Sequence, residues 1–302
     1  MSRPVIRSTL AALLGLLSGA ATAAREPDLA YGAYQRGSYV TALREANARV
    51  QRDPRDAAAL TLLGELTNQG LAIRQDPAKA AEWYRRAARE GDARALSTLA
   101  LMAIDGRGMA KDPGQGRAWL EEAVERGDPQ AAYNLALILL ASGQAPDLTR
   151  AVELLRRASE AEIGEAQHAL GVLYLKGRGV TRDTAEAARL FQRAAGNGSM
   201  AGEVEYAILL FNGEGVQASE PGAARYFLRA AARGNAVAQN RLARLYAAGR
   251  GVPKNPVEAA AWHLVASGQG LSDLWLDQAL RGLSPEERAK AERLASERSG
   301  QI

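Results

Sequence analysis

Apolar residues in this chain recur with a helical period inside short blocks, and the blocks themselves recur about every 36 residues. Within residues 93–127, Ala95, Leu99, Ala100, Met102 and Ala103 fall on one face at helical spacing. That spacing predicts a first helix whose buried stripe is partly made of small residues. Gly106-Arg107-Gly108 ends it, because glycine tolerates the left-handed backbone a helix terminus requires. Asp112-Pro113 then opens a second helix. The aspartate accepts from exposed backbone N–H groups, and proline suits a first turn whose N–H groups have no helical partner. Trp119 and Ala123 stand four apart on this second helix, and Gly127 stops it.

The same block returns six times. Its closing alanines are Ala87, Ala123, Ala158, Ala194, Ala230 and Ala266, with gaps of 36, 35, 36, 36 and 36 residues. Gly91, Gly127, Gly198, Gly234 and Gly270 follow four residues later, and only Glu162 breaks that series. Self-similarity at this period predicts an all-α fold, a right-handed α-solenoid of about six 36-residue helix-turn-helix repeats with helical caps. Small residues at Gly64, Ala100, Ala136, Gly171, Ala207 and Ala243 let neighbouring helix axes approach. The bulky series Trp83, Trp119, Leu154, Leu190, Tyr226 and Trp262 is expected to fill the groove that remains. If so, Trp119→Ala costs about 3–5 kcal/mol. Asp76-Pro77 and Asn255-Pro256 repeat the cap-and-proline pair, and Asp147 and Asp183 are read as caps without the proline. The third repeat is irregular: Ser142-Gly143-Gln144-Ala145-Pro146 is one residue short and lacks Gly-x-Gly.

The flanks differ. Arg3 and Arg7 precede the apolar run Leu10–Leu17, and Ala21-Thr22-Ala23 offers small residues for cleavage. Residues 1–23 therefore read as a secretory signal peptide cleaved near Ala23 or Ala24, with an apolar run too short for a permanent membrane anchor. Residues 27–55, with Gly37-x-Tyr39-x-x-Ala42 and then Asp53-Pro54, read as a tetratricopeptide-like helix pair. The repeats occupy 57–270. Residues 271–302 read as capping helices, the last opened by Ser284-Pro285-Glu286-Glu287, a capping-box pattern.

Composition narrows the setting. The chain has no cysteine, which excludes disulfides and lipidation at the cleavage site, so it is not a lipoprotein. It has 38 basic and 34 acidic residues; without Arg3 and Arg7 the balance is 36 against 34. A balance this even gives no reason to expect nucleic acid or an anionic membrane as partner. The periplasm is the expected compartment.

Catalytic and metal-binding motifs are missing. His168 and His263 are the only histidines and lie on different repeats, without a carboxylate or cysteine cluster to complete a metal site. His263 beside Trp262 reads as a packing or surface residue. Gly213-x-Gly215 sits between two helices and recurs in other copies as a turn, so it is not a dinucleotide loop. The expectation is a non-enzymatic protein without cofactors.

The pattern Ala-x-x-x-Leu-Gly-x-x-Tyr-x-x-Gly-x-Gly-Val-x-x-Asp, with Ala194-Ala195 and Gly198 closing the copy that begins at Ala166, resembles the Sel1-like repeat family. In that copy Leu170, Gly171, Tyr174, Gly177, Gly179, Val180, Asp183 and Ala187 match, and Leu190 stands where tryptophan is expected. The resemblance covers roughly residues 57–270. It implies an adaptor that brings proteins together. Some periplasmic members restrain a sensor kinase controlling exopolysaccharide synthesis, and others scaffold polysaccharide export.

First helices usually line the concave side of such a solenoid, where partners bind. Positions equivalent to 99 and 100 barely change between repeats, whereas those equivalent to 97 and 98 vary: Ser97-Thr98, Tyr133-Asn134, His168-Ala169, Val204-Glu205 and Asn240-Arg241. On a helical wheel they point away from Leu99, which makes Ser97, Thr98, Tyr133, Asn134, His168, Val204, Glu205, Asn240 and Arg241 the expected partner-binding face. Leu101, Leu137, Val172 and Ile208 stand near the same face as an apolar strip. A ladder on the second helices, Arg86, Arg157, Arg193 and Arg229, interrupted by Glu122, reads as a solvated convex face or a site for an acidic partner or polysaccharide. The expected partner is another protein, periplasmic or the periplasmic domain of a membrane protein, with no nucleic acid and no stable membrane insertion. A polysaccharide or peptidoglycan strand is the alternative, for which Trp275 and Tyr133 are the candidate contacts.

Overall fold

The computed structural model describes residues 28–300; the predicted signal segment lies outside them. Among the described residues there are sixteen helices and no strand. A short pair, α1 (Leu29–Gln35) and α2 (Tyr39–Arg52), leads into six longer ones. These are α3 (Ala57–Gln69) with α4 (Pro77–Arg89), α5 (Ala93–Asp105) with α6 (Pro113–Glu125), and α7 (Pro129–Ser142) with α8 (Ala145–Glu160). Then come α9 (Gly164–Lys176) with α10 (Thr184–Gly196), α11 (Met200–Asn212) with α12 (Glu220–Ala232), and α13 (Ala236–Ala248) with α14 (Pro256–Gly268). The chain closes with α15 (Leu274–Ala279) and α16 (Pro285–Ser299), and α16 folds back on α14. From α1 to α15 each helix packs on the next in sequence, and first helices of adjacent repeats also touch, α5 with α7 and α9 with α11. The molecule is a helical solenoid whose first helices form one continuous face.

Local chemistry explains the boundaries. Asp76, Asp112, Asp183 and Asn255 each accept the backbone N–H of the third helical residue, at 2.9–3.1 Å. Ser284 and Glu287 complete the capping box. Asp147 departs from the expectation. Helix α8 begins at Ala145, with Gln144 at the cap position but making no side-chain cap bond, because Pro146 in a first turn forfeits no helical hydrogen bond. Asp147 therefore lies inside the first turn, where it accepts from Ser142 Oγ at 2.5 Å.

The groove filler is only in part the expected series: Leu154, Leu190 and Trp262 are buried as expected. Trp83, Trp119 and Tyr226 are only partly buried, whereas the next residue in each repeat is enclosed: Tyr84, Leu120, Leu155, Phe191 and Phe227. The small residues face this series. A Cβ on Gly64 would lie 2.7 Å from Tyr84 Cε1, and one on Gly171 would lie 2.7 Å from Phe191 Cε1. His263 occupies the same register, buried as a packing residue, with Nε2 2.7 Å from Asp277 Oδ1. The large truncation penalty expected at Trp119 therefore belongs to Leu120, which has no solvent exposure.

Repeats are joined by contacts that recur with the period. In the Gly-x-Gly turns the second glycine lies on the start of the preceding second helix: a Cβ on Gly215 would sit 2.2 Å from the Thr184 carbonyl oxygen. The arginine ladder is exposed at Arg157, Arg193 and Arg229, as a solvated face would be, and it also staples one repeat to the next. Arg157, Arg193 and Arg229 donate to the carbonyls of Val124, Ser159 and Ala195, at 3.1, 2.9 and 3.4 Å. Those carbonyls lie at the ends of preceding second helices, where a cation complements the helix dipole. Arg86 donates to the Pro54 carbonyl. Where Glu122 interrupts the ladder, Arg126 one turn later reaches the Ala88 carbonyl at 2.8 Å.

At the irregular third repeat, Glu162 takes the left-handed conformation (φ 60°) that glycine supplies elsewhere. Its side chain accepts from Asn197, Gln167 and Arg193, which hold its carboxyl down to about 2. The helix-ending bond survives, from Ile163 N to the Ala158 carbonyl at 3.2 Å. The irregularity is thus a position where side-chain hydrogen bonds compensate an unfavourable backbone angle.

Candidate functional site

The first-helix face carries two depressions. One, of about 550 Å³, opens over α3, α5 and α7; the other, of about 330 Å³, opens over α11 and α13 beside α15. Between them runs one helical register repeated six times: Glu65, Leu101, Leu137, Val172, Ile208 and Arg244. Its middle is the apolar strip expected from sequence, with Leu137 42% exposed. Its two charged ends escaped the sequence reading, although extending the same register by one repeat in each direction finds both.

The nine predicted face residues divide. Ser97 and Val204 are buried, 3% and 7% exposed, so at these two positions the expected outward face does not hold, while Tyr133, His168 and Asn240 are half-buried. The reason is the width of the buried arc: a first helix in a solenoid touches its own partner and both neighbours, leaving only a narrow strip free. The position equivalent to 97 instead meets the cap of the following first helix. Thr61 donates to Asp92 at 2.8 Å, Asn240 donates to Asp273 at 2.7 Å, and Ser97 hydrogen-bonds to Asp128. Tyr133, His168 and Val204 occupy this position where the corresponding cap is Ile163, Ser199 or Asn235. Variety at this register accompanies the identity of the next cap.

Tyr133 is half-buried against the central core, and burial raises its hydroxyl pKa. His168 is half-buried with its ring 5.6 Å from Phe191, and burial lowers its pKa. Burial likewise pushes the Glu205 carboxyl up. Thr98 and Asn134 line the first depression and Arg241 the second, so the register equivalent to 98 does reach the open face at both ends.

The two depressions differ in charge. Asp28, Glu65, Asp92 and Asp128 line the first, with Arg94 as its cation. Arg241, Arg244 and Arg250 line the second, among Ile208, Phe211 and Trp275. There the arginines lie on aromatic faces, Arg250 4.1 Å from the Phe211 centroid and Arg244 5.1 Å from that of Trp275. Arg244 also grips Asp273 with two bonds, at 2.6 and 2.8 Å. Burial opposes the Asp273 charge, but the bonds from Arg244 and Asn240 outweigh it and hold its carboxyl at about 2. No group of three or more histidine, aspartate or glutamate side chains among the described residues is arranged to hold a metal. No described helix is long and apolar enough to cross a membrane.

The Sel1 repeat model matches six consecutive segments, 57–92, 93–128, 129–162, 164–199, 201–235 and 236–271, well over half of the chain. The chain belongs to the Sel1 repeat family. A Sel1 repeat protein from Oxalobacter formigenes superimposes with a TM-score of 0.71 at 26% identity, over 80% of this chain and 98% of that one. The protective antigen c5321 of uropathogenic Escherichia coli, which displays the same type of fold, gives a TM-score of 0.52 at 24% identity, over 90% of this chain and 68% of that one. No curated protein matches this chain. Sel1 repeat proteins are in general scaffolds for protein interaction and typically non-catalytic.

Proposed function

We propose that this Sel1 repeat protein is an exported, periplasmic scaffold that holds another protein along its first-helix face. In this role it regulates or assembles an envelope sensor or the exopolysaccharide and secretion machinery. The observation that carries the binding reading is the graded strip from Glu65 through Leu101, Leu137, Val172 and Ile208 to Arg244, with Leu137 exposed at its middle. A partly exposed apolar strip ended by opposite charges favours a partner that covers it. Export rests on Arg3, Arg7, Leu10–Leu17 and Ala21-Thr22-Ala23.

A photo-crosslinker placed at 134 or 241 in intact cells tests the reading. The expected result is one dominant envelope protein, lost when Leu137→Glu places a charge on the strip. Absence of any protein adduct at both positions overturns it. N-terminal sequencing of the periplasmic fraction should read from Ala24 or Arg25; a product retaining Met1 or confined to the cytoplasm overturns the export reading. Glycan binding is the second reading, supported by Trp275, 44% exposed beside the second depression. Quenching of tryptophan fluorescence by envelope glycans, lost in Trp275→Ala, is its expected signature.

A further inference from the structure

We infer that the acidic depression over α3, α5 and α7 seats a basic side chain, lysine or arginine, of the protein held on this face. The inference rests on the protein-binding reading and gives the partner a chemistry at one defined place. Four carboxylates line this depression against one guanidinium, that of Arg94. Asp28 is answered within the chain by Arg49 at 2.7 Å. The other three receive hydrogen bonds from neutral donors. Glu65 accepts from the Tyr84 hydroxyl at 2.8 Å and from Gln69; Asp92 accepts from Thr61 at 2.8 Å and from Ala95 N at 2.9 Å; Asp128 Oδ1 accepts from Gln130 N at 3.1 Å. Asp92 and Asp128 cap helices, whose positive N-terminal ends offset part of their charge. Glu65 lies near the C-terminal end of α3 and has no such offset.

Asp128 decides the matter. It is 6% exposed, lines the depression, and its Oδ2 has no hydrogen-bond partner among the described residues. Burial pushes its carboxyl up against the hydrogen bonds that favour the charge. Arg94 favours the Asp128 charge from across the depression without bonding to it, so the buried oxygen still lacks a donor, which an ammonium or guanidinium group supplies together with charge. An apolar side chain would leave Oδ2 buried and unanswered, and a neutral donor would leave the excess of negative charge unbalanced. The rings of Tyr31 and Tyr34, stacked 6.3 Å apart, line the same depression and offer aromatic faces to the stem of a long basic side chain.

Nα-acetyl-arginine amide and Nα-acetyl-lysine amide, titrated into the full chain, test this, with Nα-acetyl-citrulline amide as the neutral isostere of arginine. Chemical shifts of the Thr61, Ser97 and Gln130 amides report the site. The expected result is a saturable shift with a cationic probe and binding of the citrulline probe weaker by about tenfold or more. Asp128→Asn keeps the cap geometry and should weaken the cationic probe by about tenfold. Glu65→Gln, which has no capping role, should weaken it in the same direction. Equal shifts from arginine and citrulline, or affinity unchanged in both variants, overturns the inference. If the partner crosslinked at 134 is captured equally by Asp128→Asn, this inference fails while the scaffold reading stands. If no partner is captured at either 134 or 241, the scaffold reading itself fails.

Discussion

Asp128 and Asp273 are both buried carboxylates that cap a helix on the same face, yet they end in opposite states. Asp273 is gripped by Arg244 and Asn240 and titrates at about 2. Asp128 has Ser97 and backbone donors, one oxygen left without a partner, and a carboxyl raised by burial. The difference comes from one register: its last member is Arg244, whereas Leu101 and Leu137 hold the same position on α5 and α7. Where the strip ends in arginine the solenoid answers its own charge, and where it is apolar the charge is left for something outside. A repeat architecture thus creates equivalent sites, and single side chains decide which of them stay open.

The largest effect is expected at the answered end. Asp273→Ala removes the cap of α15 and leaves Arg244 unpaired, which should destabilise by about 2–3 kcal/mol. Because solenoid stability is distributed among neighbouring units, the loss should appear first as faster amide exchange in α15 and α13. Unchanged exchange there would mean the two ends do not differ as described. Next comes acid. The folded Asp273 value of about 2 lies below the ordinary 3.8, so its contribution is fully present above 3.8 and disappears as pH falls towards 2. That contribution is about 2 kcal/mol, and acid denaturation of wild type against Asp273→Asn measures it.

At the open end the sign reverses. The folded value of Asp128 lies above 3.8, so its charge opposes folding at neutral pH, and the penalty fades as pH falls through the raised value. Asp128→Asn should therefore be neutral or stabilising at pH 7, with the gain vanishing in acid. A clear loss of stability at pH 7 would show that an internal cation already answers Asp128. The smallest signal comes from Glu162, between the two ends. Asn197, Gln167 and Arg193 hold it at about 2, so its carboxyl resonance should titrate there, and Asn197→Ala should move the midpoint upward.

Much of the fold is legible in the sequence because its signals are local. A capping aspartate, a first-turn proline and a glycine at positive φ act within a few residues, and their 36-residue recurrence counts the helix pairs. The misreadings arose where packing chooses among locally acceptable options. Trp119 and Leu120 are both apolar and adjacent, and only the position of α5 decides that Leu120 faces inward. Pro146 tolerates a helix start on either side of Asp147, and the shortened turn favours the earlier one. The ladder arginines read as a solvated face, and only the neighbouring helix brings a row of carbonyl ends within their reach.

The candidate face was half legible. Thr98, Asn134 and Arg241 reach the open surface, and the apolar strip was visible as a register. Internal variety at this register does not by itself mean freedom: Ser97 and Asn240 stand against the cap of the next repeat, and Val204 is buried.

What the sequence determined by itself is the helical repeat, its count, its caps and its breaks, since each depends on backbone preferences expressed over one turn of chain. What only the tertiary structure decided is which charges find partners. Thr61 and Asp92 are 31 residues apart, Arg244 and Asp273 29, and Asp128 has one oxygen that no described residue reaches. Pairing over that distance depends on how one repeat is set against the next, and that geometry arises only when the apolar faces are buried together.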